Sequence, residues 1–173
     1  LLTINGTGTR LVTGIEVTNP VRTASGGDFY VGYNGVGDVE VSGRGSIESL
    51  GQAVIGVQDF AEGKVLLTDR GTRWTIAEDL TIGNGLAANS SAHGLLVVNN
   101  DAQVLVGQEI FVNPLGQIQL GGGRVELLDP VGDTINNDGV ISGGGVLEGF
   151  MAIGASGQLR NAAGIANERE YLL

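Results

Sequence analysis

Cysteine is absent from the 173-residue chain, which excludes a disulfide scaffold and thiolate metal sites. Only three prolines occur, Pro20, Pro114 and Pro130, so no proline-rich linker divides it. Aromatic residues make up 5%, and 9 basic residues face 19 acids, giving a net charge of −10. That balance argues against nucleic acid as a partner, because phosphate binding needs a basic face. No apolar run approaches the ~20 residues of a membrane-spanning helix. The chain opens at Leu1-Leu2 without methionine or a signal sequence, so it reads as a mature or excised segment.

The single histidine, His93, sits in "NSSAHG". With no second histidine and no cysteine to share a metal, it is expected in a surface loop. A triad of Ser90 or Ser91 with His93 lacks an orienting acid and an oxyanion hole.

What the chain does have is glycine, 31 residues of it, more than twice the usual share of about 7%. It also has many Val, Ile and Leu residues. The glycine follows no triplet period, which excludes collagen, and the aliphatic content argues against disorder. An aliphatic residue followed by glycine recurs at Val31-Gly32, Ile55-Gly56, Ile82-Gly83 and Ile153-Gly154. Asn113 stands where the spacing calls for another such glycine, and it is expected to share the left-handed backbone. After each marker comes a turn closing on glycine, then apolar residues at every second position. "INGTGTRLV" and "NNDGVISGGGVLEG" carry worn copies.

Period-2 alternation predicts half-buried strands, and no 3.6-residue apolar stripe competes with it. A propeller needs ~40–50 residues per repeat and does not fit. A sandwich does not require turn and strand to recur in fixed order, whereas stacked coils do. The predicted fold is therefore all-β, a right-handed parallel β-helix. Residues 1–166 form one solenoid of imperfect 24–30-residue repeats, and 167–173 form a C-terminal cap or linker. Val39 and Val41, Val65 and Leu67, Leu95 and Val97, and Ile118 and Leu120 are the predicted inward pairs. In "RGTRWTIAEDLTIGNG", Trp74 is expected to begin a strand, Ile76, Leu80 and Ile82 to stack in register, and Gly83 to end the run.

"VGYNGVGDVEVSGRGSIESLGQAVIG" followed by "RGTRWTIAEDLTIGNG" resembles the passenger-associated repeat of type V secretion (autotransporter) proteins, also found in exported proteins with a sorting tail. Thr72-Arg73-Trp74 and Leu80-Thr81-Ile82-Gly83 supply the end of that pattern, and "NNDGVISGGGVLEG" looks like coils of the same passengers. The resemblance spans about residues 29–160. It implies a bacterial extracellular or outer-membrane-surface protein acting in adhesion, aggregation or coating. Nothing in the chain looks like the translocating barrel.

No catalytic, metal or cofactor site is expected. Polysaccharide lyases of this architecture need clustered acids around a cation and a base. The acids here are scattered, with Asp38, Glu40 and Glu48 the nearest grouping and Glu78-Asp79 the one acidic pair of note. "NGVGD" at 34–38 has the wrong register for a calcium nonapeptide, which leaves Gly35 and Gly37 as turn residues. "GGGR" at 121–124 and "SGGGV" at 142–146 lack the Lys-Ser/Thr of a phosphate loop and are expected to be turns. Phe29, Tyr30 and Tyr33 form a candidate sugar-stacking or interaction patch. The expected partners are further copies of the chain, as a homo-oligomer or filament, or a cell-surface carbohydrate. The alternative is a carbohydrate-active β-helix enzyme.

Overall fold

The computed structural model describes residues 1–13, 15–18, 21–24, 27–83, 91–167 and 171–172, with side chains for 1–13, 27–83 and 91–160. All regular structure among them is β. Short aliphatic runs bounded by Gly, Asn and Asp give strands, because β-branched residues fill a pleated surface and the flanking residues permit sharp bends.

The strands recur in three positions. The first coil has β1 (Leu2–Asn5) and β2 (Arg10–Thr13). An antiparallel hairpin then departs as β3 (Ile15–Thr18) and β4 (Val21–Ala24), and β5 (Phe29–Val31) completes the coil. The next three coils are β6 (Val36–Ser42), β7 (Ser46–Ser49), β8 (Ala53–Ile55); β9 (Glu62–Leu67), β10 (Arg73–Ile76), β11 (Leu80–Ile82); and β12 (His93–Asn99), β13 (Gln103–Val106), β14 (Ile110–Val112). In the last three coils one long strand serves the first two positions: β15 (Gly116–Leu127) with β16 (Thr134–Asn137), β17 (Val140–Glu148) with β18 (Phe150–Ile153), and β19 (Gln158–Asn167) with β20 (Tyr171–Leu172).

Apart from the β3–β4 hairpin, each strand pairs in parallel with its counterpart one coil along. β15 pairs with β12 through its first half and with β13 through its second, so the first and second ladders join into one sheet that curves back on itself. The third ladder runs from β5 to β20. The chain is thus an all-β, parallel-stranded, solenoid-like stack around one apolar core.

Register explains the core. Val39, Val65, Leu96, Ile118 and Ile141 stand on one another in the first ladder; Ile47, Trp74, Val104 and Val125 do so in the second; Ile55, Ile82, Val112 and Asn137 do so in the third. All are buried. Trp74 is fully buried as the second residue of β10, which Arg73 begins, and Ile76, Leu80 and Ile82, also at 0% exposure, stack in register on Val106, Ile110 and Val112 as the sequence predicts. The Trp74 Nε1 donates to the buried Ser49 Oγ at 3.0 Å, one coil away, so the indole's polar atom is satisfied inside the core. Asn137 is likewise satisfied: its Nδ2 donates to Gln158 O and its Oδ1 accepts from Gly139 N–H.

Five expectations need correction. Gly37 is the second residue of β6 and pairs with Gly63, so it lies in a strand and not in a turn. Leu95 and Val97 point outward, and Leu96 and Val98 are the buried pair. The run "LLVV" is apolar at every position, so alternation carries no phase, and the pairing of Gly94 with Gly63 sets it instead. Asn113 does not share the left-handed backbone. Gly32, Gly56 and Gly83 have φ of 69°, 78° and 71°, whereas Asn113 instead donates its Nδ2 to Gly83 O at 2.8 Å. The clusters at 121–123 and 142–145 lie inside β15 and β17, where φ of 85° at Gly122 and 102° at Gly143 bends a continuing strand. His93 is the first residue of β12 and exposed, at a strand end rather than in a loop. Tyr171 and Leu172 continue the third ladder against Met151 and Ala152.

A further regularity is a row of glycines, Gly37, Gly63, Gly94 and Gly116, continued by Gly139 and Gly157 just before β17 and β19. A Cβ at any of them would run into neighbouring backbone: Gly32 N for Gly37, Val31 O for Gly63, Ile82 O for Gly116, Asn137 O for Gly157. The chain crosses itself closely where the third ladder hands over to the first, and only hydrogen fits there.

Candidate functional site

The handover from third to first ladder gathers the most varied side chains. Beyond the glycine row, the outer surface of β6, β9, β12 and β15 forms an open trough of about 300 Å³. Asp38, Glu62, Lys64, His93 and Gln117 supply its polar groups, and Val36, Leu95 and Leu115 its apolar ones. Strand pairing fixes the arrangement. Val36, Glu62 and His93 form one row across three coils, and Asp38, Lys64, Leu95 and Gln117 form the row two residues along. Asp38 and Lys64 therefore sit side by side on adjacent coils, with opposite charges in contact range of a shared ligand.

The corner beside the trough exposes three large apolar residues: Tyr33 at 47%, Val36 at 75% and Phe60 at 85%. Phe60 has φ of 63°, a left-handed conformation that is a genuine outlier for a bulky residue. The turn is tied to the next coil, since Phe60 N–H donates to Ser91 Oγ and Ser91 N–H donates to Asp59 Oδ1, both at 3.2 Å. A strained backbone holding a large ring in solvent is costly twice over, a pattern associated with functional positions. The sequence contains the signal: in "QDFAEG" a phenylalanine occupies a turn position where Gly or Asn would be expected.

The three aromatic residues singled out from sequence separate. The Phe29 ring meets Trp74 edge-on at 5.7 Å and packs against the core. Tyr30 and Tyr33 remain together, with ring centroids 5.6 Å apart. Tyr30 OH donates to Asp28 Oδ2 at 2.7 Å, and Gln52 Nε2 donates to the same oxygen at 3.2 Å. The hydrogen bond to the Asp28 carboxylate, with some burial, raises the Tyr30 pKa above its ordinary 10.0.

The acids noted from sequence are also dispersed. Asp38 and Glu40 share the outer side of β6, but Glu48 lies on the second ladder, ion-paired with Arg10. Asp79 Oδ1 accepts Glu109 N–H at 3.0 Å, a coil-to-coil contact. Among the described residues no three His, Asp or Glu side chains converge as a metal site. Ser90 lies outside the described residues. The trough offers apolar contact and polar groups able to hydrogen-bond a ligand.

Fold and surface together define a class, an all-β parallel solenoid-like protein with a polar trough and an aromatic corner. Comparison with known proteins adds no family to that class, since no family model, curated protein or solved structure matches the chain.

Proposed function

We propose that the protein is a right-handed parallel β-helix of the autotransporter-passenger kind, exported to the surface of a bacterium or beyond it. It acts without catalysis in adhesion, self-association or as a filament or stalk module. The observation that carries this reading is on the first ladder's outer side. Leu66 and Val97 are register partners there, Leu95 lies two residues before Val97, and none of the three is buried. Lys64, Glu40, Gln117 and Gln119 surround them. An outward sheet face would ordinarily be polar, so an apolar patch with a polar rim suits contact with another macromolecular surface.

Sedimentation velocity across a concentration series is the test, paired with binding of the labelled protein to bacterial cells. The native chain associates as concentration rises, and Leu66→Lys or Val97→Lys shifts it to monomer without lowering its unfolding midpoint by much. A strict monomer at high concentration that also ignores cell surfaces would sink the proposal.

A second reading, a carbohydrate-active enzyme, is favoured by one feature, the trough that unites Asp38, Glu62, Lys64 and His93. It predicts new reducing ends or unsaturated products from a polysaccharide panel, lost in Glu62→Gln.

A further inference from the structure

The second ladder carries a separate concentration of charge. In a chain with 19 acids and only 9 bases, four of those bases, Arg44, Arg70, Arg73 and Arg124, gather around the bend from first to second ladder and the adjoining strand starts. Arg44 packs its aliphatic stem over Gly71, with its Cγ 3.3 Å from the Cβ position there. Arg73, Gln103 and Arg124 stand in register on β10, β13 and β15. A cleft of about 600 Å³ opens between the coils here, with Arg70 and Arg124 at its sides, Gln103 and Asp101 between them, and Gly122 and Gly123 leaving space.

The two lining arginines differ in preparation. Arg124 is held by Glu148 at 2.9 Å and Glu126 at 3.7 Å, so its guanidinium is oriented before any ligand arrives. Arg70 is exposed and, like Arg44 and Arg73, makes no ion pair among the described residues. The unpaired Arg70 suits a planar carboxylate, which a guanidinium engages through two parallel hydrogen bonds, while the N–H groups that Arg124 does not spend on Glu148 and Glu126 can donate to a hydroxyl. Two coils separate Arg70 from Arg124, about 10 Å at the usual strand spacing.

We infer that this cleft binds a carboxylate-bearing saccharide chain, with Arg70 taking a carboxylate and Arg124, Gln103 and Asp101 taking hydroxyls. The lining favours a saccharide over other polyanions. No aromatic ring is there to stack a base, Val146 is the one aliphatic side chain there to anchor a peptide, and Asp101 would oppose densely spaced phosphates while accepting a hydroxyl proton. The inference does not rest on the apolar patch of the first ladder, so either can fail alone.

The test is calorimetric titration of the full chain with a galacturonic acid tetramer, its methyl-esterified counterpart, a glutamate tetrapeptide and inorganic sulfate. The free-acid tetramer should bind, the ester should not, and added salt should weaken binding. Arg70→Gln, in an exposed turn, should lower affinity about tenfold, the loss expected for one charge-assisted contact. Arg160→Gln, whose Nε donates to Gln158 Oε1 outside the cleft, should leave it unchanged. Equal binding of the glutamate peptide or of sulfate would overturn the saccharide assignment. No binding of the free acid, or an Arg70→Gln protein that binds it normally, would overturn the site.

Discussion

Phe60 concentrates the conflict between stability and surface chemistry at a single residue. Its left-handed backbone costs roughly 1 kcal/mol or more relative to glycine, and its ring gains almost nothing from burial. Phe60→Gly is therefore expected to stabilise the fold by about 1 kcal/mol in urea denaturation. Trp74, the sole tryptophan and fully buried, gives a clean fluorescence readout of that transition. A destabilised glycine variant would mean that the ring packs more than its exposure indicates. Tyr30 offers a second test. Its proton is held more tightly in the folded chain than in an unfolded one, so the stability it contributes is complete below pH 10 or so. That contribution is lost as pH climbs through the raised folded value. Absorbance titration should show one tyrosine ionising late, and Asp28→Asn should bring that step back towards 10.0. If the titration of Asp28→Asn superimposes on the native one, the carboxylate is not the cause.

At the level of strands, β12 decides between two phases that its sequence leaves open. Leu96 and Val98 occupy the core and Leu95 and Val97 face out, so Leu96→Ala should cost about 2–5 kcal/mol and Leu95→Ala under 1. Chemical denaturation of the pair gives the phase directly, and the reverse ranking would place the strand one residue out of register. The same strands show how legible the elements were. Where polar residues alternate cleanly, as in "DVEVS", the inward residues Val39 and Val41 could be named beforehand, and Val65 and Leu67 followed from the polar Lys64 and Thr68 that flank their run. Where four apolar residues run together they could not, because phase there comes from a neighbouring coil.

For the whole molecule, stacking makes each coil the template of the next, so a fault at the shared corner has consequences beyond its own strand. Gly116→Ala should destabilise by at least about 2 kcal/mol, since the added methyl meets the Ile82 carbonyl and the backbone on both sides is committed to ladders. An unfolding midpoint within error of the native one would show that the coils do not approach as closely as the row of glycines implies. The candidate sites were less legible than the coils for a related reason. Phe29, Tyr30 and Tyr33 are neighbours in sequence, yet the fold sends Phe29 to Trp74 and leaves the tyrosines on the surface. Arg70 and Arg124 are far apart in sequence, and only the stacking of coils brings them to one cleft.

The sequence by itself determined that this chain is all-β, that it repeats, and that its core is aliphatic. Period-2 alternation and glycine-closed turns are local properties, and each copy of the repeat states them again. Tertiary structure alone decided the phase of β12, the separation of the aromatic residues and the juxtaposition of the arginines. Those depend on which coil lies against which, and parallel pairing joins residues some 18 to 31 positions apart, from Val39 to Val65, Leu96, Ile118, Ile141 and Leu159. No local window of the chain contains that information.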